Sequence, residues 1–168
     1  MPLPIFYFSK LNLWDKVTIL LYLLLSVVLW YYFDNTTSSK IQRKILFGYT
    51  FGTQLFLYGL NYKSLRNLTV YFFWIGIGVI HLLFYFQLKD NQLLKNFHGH
   101  SPTGLRNTLI LLLLFQILRF ISARTQGMEL VSPSRGSTRD IFDDRRITLL
   151  DFIFFVVYVG SVLFLNEV

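Results

Sequence analysis

What most constrains this chain is a series of long apolar runs almost free of charge. Residues 17–33, 45–62 and 67–88 contain no Asp, Glu, Lys or Arg, residues 107–123 contain only Arg119, and residues 147–166 contain only Asp151. A helix that crosses a bilayer needs about 20 mostly apolar residues. Backbone polar groups in hydrocarbon must be satisfied within the segment, which favours helices. The expected fold is therefore all-α: a polytopic integral membrane helical bundle with about five transmembrane helices in a single domain spanning residues 1–168. The second run is short and rich in glycine, with Gly48, Gly52 and Gly59, so four spans plus a re-entrant segment is the alternative.

Composition supports the same class. Hydrophobic residues make up 54% of the 168 residues and charged residues 15%, against about 25% charged in soluble domains. That excludes a disordered chain and a basic nucleic-acid-binding domain. The chain has no cysteine, which removes disulfides, thiolate metal sites and thiol nucleophiles. The first apolar run ends Trp30-Tyr31-Tyr32-Phe33, too bulky for a signal-peptide cleavage site, and reads as an uncleaved first helix.

Sixteen Lys and Arg stand against nine Asp and Glu, a net charge of +7. They lie mostly between the apolar runs, where basic residues set topology and meet anionic headgroups. With five helices, the N-terminal tail, the 61–68 loop and the 124–146 loop share one side. That side carries ten of the sixteen basic residues when Arg119 is counted with it. The N-terminus is expected in the cytoplasm.

Ionisable and amide side chains at membrane depth are functional candidates by default. Arg119 and Asp151 each lie about one turn from the same side on consecutive runs, and are expected to pair. Gln54, His81 and Gln116 fall at similar depths and are expected to converge in one polar layer. Gly48 and Gly52 form a GxxxG pattern, with Gly59 nearly on the same face, and are candidate helix-packing residues. In the 124–146 loop, Asp140, Asp143, Asp144, Arg145 and Arg146 form a mixed-charge cluster suited to headgroup or partner contact. His98 and His100 supply two imidazoles, fewer than a firm metal site needs.

No motif carries recognisable chemistry. HExxH and GxSxG are absent, and haem would ask for a second buried histidine. No cofactor and no metal are expected. The leading functional expectation is a non-enzymatic accessory or structural subunit of a membrane complex, in contact with the lipid bilayer and with another membrane protein or a second copy. A small oligomeric transporter or channel subunit is the alternative, and a lipid-modifying membrane enzyme a weaker third. Nucleic acid is not an expected partner.

Overall fold

The computed structural model describes residues 7–96, 99–133 and 146–167. Among them are five α-helices: α1 (Leu13–Asn35), α2 (Ser39–Gly59), α3 (Leu68–Leu88), α4 (Thr103–Gln126) and α5 (Leu149–Glu167). A two-residue hairpin pairs β1 (Lys95–Asn96) with β2 (Gly99–His100) between α3 and α4. Helices α1, α3, α4 and α5 are each long and apolar enough to cross a membrane. The chain is thus a helical, multi-pass membrane bundle.

Helix α2 is a continuous helix of 21 residues, about 31 Å long, so the second apolar run does not fold back as a hairpin. It begins six residues before the apolar run because Ser39 to Lys44, read from sequence as loop, is helical. Those first turns are charged, and Arg43 donates to the Lys95 carbonyl at 2.7 Å. The charges, with Gly48, Gly52, Thr50, Thr53 and Gln54, explain why α2 is less apolar than the other four helices.

Local signals set the helix ends. Asn12 and Asp15 cap α1 reciprocally: the Asn12 side chain accepts from the Asp15 N–H at 2.7 Å and Asp15 accepts from the Asn12 N–H at 3.0 Å. Asn67 caps α3 through the Thr69 N–H at 3.1 Å. Helix α4 stops at Gly127, whose φ of 64° is left-handed and open to glycine without a Cβ penalty.

Helix α4 is central, packing against α3, α5 and α2. Its Leu105, Leu111, Leu112 and Phe115 are buried against Trp74, Leu57 and Tyr158 from the surrounding helices. A Cβ at Gly78 would lie 3.2 Å from Leu109 and 3.3 Å from Leu112, so α3 and α4 approach closely there. Gly104 is the tighter point, since a Cβ would collide with the Thr50 side chain of α2. The outward faces carry leucine, valine and phenylalanine, as lipid contact requires.

Three segments gather at one end of the bundle. The Leu68 N–H donates to the Tyr7 carbonyl at 3.1 Å, and Asn67 exchanges hydrogen bonds with the Ser9 backbone at 3.2 and 3.1 Å. Arg66 donates to the Leu130 carbonyl at 2.7 Å. The N-terminal segment, the turn before α3 and the chain after α4 therefore meet.

Candidate functional site

Three groups of buried polar side chains stand out among the described residues. The first surrounds His81. Its Nε2 lies 2.8 Å from the Tyr49 hydroxyl and 3.2 Å from the Tyr22 hydroxyl. Tyr22 donates to Tyr49 at 2.9 Å and contacts the Thr53 hydroxyl at 3.0 Å. Ser26 lies 2.8 Å from the Tyr49 hydroxyl. Ser26 and Thr53 also donate to the Tyr22 and Tyr49 backbone carbonyls one turn earlier. One imidazole and four hydroxyls thereby join α1, α2 and α3. The Nδ1 of His81 is buried without a partner among the described residues.

The second group is centred on Gln54. Its Nε2 donates to the Gly104 carbonyl at 2.9 Å, and its Oε1 accepts from Asn166 at 2.7 Å. Its backbone carbonyl accepts from the Tyr158 hydroxyl at 3.1 Å. Asn107 donates to the Leu165 carbonyl at 2.6 Å alongside. One glutamine thus binds α2 to both α4 and α5.

The third group is an ion pair. Arg119 holds Glu129 with two bonds, Nε to Oε2 and Nη2 to Oε1, both 2.8 Å. The guanidinium is 1% exposed and stands over the Tyr7 ring at 5.7 Å. Arg66 lies 4.0 Å from the same carboxylate. Gln116 donates to the Leu65 carbonyl at 3.2 Å and accepts from Arg119 at 3.5 Å.

Two expectations are corrected here. Arg119 does not pair with Asp151. The left-handed turn at Gly127 reverses the chain and delivers Glu129 under the guanidinium before α5 begins. Asp151 instead caps α5, accepting from the Thr148 N–H at 2.9 Å while its own N–H donates to the Thr148 hydroxyl at 3.2 Å. Gln126 reaches both, so the cap also fastens the end of α4. Nor do Gln54, His81 and Gln116 form one layer. Gln54 faces α4 and α5, His81 faces α1 and α2, and Gln116 faces the turn before α3.

The glycines of α2 are open. A Cβ built at Gly48, Gly52 or Gly59 meets no atom within 4 Å, so no helix of the described chain packs on them. Gly48 and Gly52 line a mostly apolar cleft of about 600 Å3 between α1 and α2, on whose walls Tyr22, Tyr49 and Thr53 also lie. Of the charged loop cluster, Arg146 is exposed; Asp140, Asp143, Asp144 and Arg145 lie outside the described residues, as does His98.

Sequence reasoning missed the partners more than the centres. Tyr22, Tyr49 and Thr53 sat unnoticed in aromatic and apolar runs. Signals did exist for the caps: Asn12-x-x-Asp15 and Thr148-x-x-Asp151 both precede or open an apolar run with capping-box spacing. Glu129 had no such signal. Compared with known proteins, the chain matches no family model, no curated protein and no solved structure.

Proposed function

We propose that this protein is a non-enzymatic accessory or structural subunit of a membrane complex. The observation that carries the reading is the use made of the intramembrane polar side chains. Gln54, Gln116, Arg119 and Asp151 each bond a residue outside their own helix. They work as fasteners, and fasteners at membrane depth fix helix register rather than form a hydrated path. What the bundle offers outward is apolar surface, greatest on α1.

The same reading places the N-terminus in the cytoplasm. The meeting of the N-terminal segment, the turn before α3 and the chain after α4 supports their sharing one side. That side is the more basic one, and basic loops favour the cytoplasm.

The test is purification of the full chain from native membranes in mild detergent, with mass spectrometry of co-eluting proteins. A stoichiometric second protein or a defined homo-oligomer is the expected result. A solitary monomer would overturn the proposal. The hydrogen-bonded run through Tyr22, Tyr49 and His81 favours a transporter subunit as the second reading. That reading requires His81→Leu or Tyr49→Phe to change flux in reconstituted vesicles, and fails if neither does.

A further inference from the structure

Asp15 is 2% exposed, and only one of its oxygens is used. Its Oδ2 accepts from the Asn12 N–H at 3.0 Å, which closes the cap of α1. Its Oδ1 is buried and has no partner among the described residues. A carboxylate oxygen taken from water without a hydrogen bond is costly, so an orphan of this kind asks for a donor. No lysine of the described chain supplies one. Lys10 is exposed, Lys63 has an interaction of its own, and neither forms a salt bridge with Asp15.

Asp15 is part of the wall of a cavity of about 450 Å3 between the N-terminal segment and the turn before α3. Tyr7, Trp14 and Leu60 line it too, and the wall is mostly apolar. We infer that this cavity binds a primary ammonium group carried on an apolar body, with Asp15 Oδ1 as its acceptor. Charge selects a cation, because a charge-assisted hydrogen bond is about twice as strong as a neutral one. The wall selects an organic cation over a metal ion. A hard metal ion asks for roughly six to eight oxygen ligands, and the oxygens nearby are spent: Asn67 and Ser9 bond each other, and the Asn12 side chain accepts from the Asp15 N–H. The orphaned oxygen selects the degree of substitution, since it lacks a donor and a quaternary ammonium has no N–H to give.

The remaining wall suits what carries the amine. Tyr7 and Leu60 offer apolar surface, and Trp14, half exposed, is the type of ring that attracts a cation best. Tryptophan at the start of a spanning helix also stands at headgroup level. Two sources present a primary ammonium there: the headgroup of phosphatidylethanolamine and a free alkylamine. This inference does not depend on the protein having a protein partner.

The experiment has two arms on the full chain. Native mass spectrometry after release from nanodiscs of mixed phosphatidylethanolamine and phosphatidylcholine reads the lipid source. Thermal melting in phosphatidylcholine nanodiscs with hexylamine, against hexyltrimethylammonium, reads the free amine. The wild-type chain should give at least one signal: retention of phosphatidylethanolamine about tenfold above phosphatidylcholine, or a melting temperature raised by hexylamine and not by its trimethyl analogue. The first assigns the site to the lipid headgroup, the second to a soluble amine. Asp15→Asn keeps an acceptor for the Asn12 N–H and should abolish the signal. Asn12→Ala weakens the same cap but leaves the carboxylate, so it should lower the melting temperature and keep the signal. Circular dichroism checks the fold of both variants. Absence of both signals in the wild-type chain overturns the inference. So does a signal that survives Asp15→Asn, or one lost equally in Asn12→Ala, because Asp15 then acts only as a cap.

Discussion

Helices α3, α4 and α5 with the second half of α2 form one body, and α1 leans on it. In the apolar windows of α3 and α4, 39% of residues are buried, against 17% in α1. The body is joined by bonds at several levels: Gln54 to Gly104 and Asn166, Asn107 to Leu165, Tyr71 to Leu112, and the Arg119–Glu129 pair near the end of α4. Within the bilayer, α1 has the Tyr22–Ser26 contacts and the stacking of Trp30 on Phe84 at 4.1 Å. In lipid, apolar burial gives helices little reason to associate. The comparison therefore teaches that attachment follows close backbone approach and hydrogen bonds rather than greasiness. By hydropathy α1 is an unambiguous span, yet it is loosely held; α2, the least apolar helix, has side-chain bonds to α1, α3, α4 and α5.

The strongest way to break the body is to unpair Arg119. Arg119→Leu takes from Glu129 its two short bonds and leaves the longer Arg66 contact at 4.0 Å, and Glu129→Leu leaves a guanidinium that is 1% exposed without its carboxylate. Removing one partner of a buried pair typically costs about 3–5 kcal/mol. Each single variant should lower the melting temperature in detergent more than any other substitution considered for this chain. The double variant Arg119→Leu/Glu129→Leu should recover much of the loss, because neither charge is then stranded. A double variant as unstable as the sum of the singles would show that the two residues act apart.

Glycines sharpen the contrast between the regions. Gly104 lies where α4 crosses α2, and an added methyl meets the Thr50 side chain; Gly48 lies on the open cleft. Overpacking a tight contact costs roughly 1–3 kcal/mol. Gly104→Ala should therefore destabilise the bundle by about that much, while Gly48→Ala should match or exceed wild type, alanine being the better helix former. Equal effects of the two alanines on the melting temperature would erase the distinction between a packed and an open glycine.

The same pair shows what the sequence reveals and what it hides. GxxxG at Gly48 and Gly52 is the visible motif, but the glycines that admit a neighbouring helix are Gly78 and Gly104, the latter outside the apolar runs and two residues after Pro102. Element type was legible because hydropathy and length decide it locally. Helix α2 lost six residues to a presumed loop because Lys40, Arg43 and Lys44 look like loop charges, although lysine and arginine are good helix formers. Pairing was not legible. Depth along a helix can be counted from sequence, but which neighbour a side chain faces depends on how the helices pack. Thus Gln54, His81 and Gln116 were placed at similar depths and still meet different elements. Glu129 was hidden for a different reason: only the backbone reversal at Gly127 brings it back to a residue ten positions earlier.

On the α1 side, effects should be smaller and local. Tyr22→Phe removes the hydroxyl that touches Tyr49, Thr53 and His81. Interhelical hydrogen bonds in membranes are worth about 0.6–2 kcal/mol. Global melting should shift little. Hydrogen exchange, or the labelling rate of a cysteine placed at Leu25 in the cleft, should rise along α1 while α4 and α5 stay unchanged. Uniform loosening of every helix would mean that α1 belongs to the body after all.

The smallest effect is the most discriminating about the end where α4 and α5 meet. If Asp151 were the counter-ion of Arg119, Asp151→Asn would strand a buried guanidinium and cost as much as Glu129→Leu. As a cap it needs an acceptor for the Thr148 N–H, and an asparagine oxygen still provides one. The interaction of its charge with the helix dipole is lost, about 0.3–1 kcal/mol. Asp151→Ala removes the acceptor as well and should fall by about 0.5–2 kcal/mol. The expected order of melting temperatures is Asp151→Asn above Asp151→Ala above Glu129→Leu. If Asp151→Asn falls to the level of Glu129→Leu, the carboxylate of α5 carries the charge that Glu129 is assigned here.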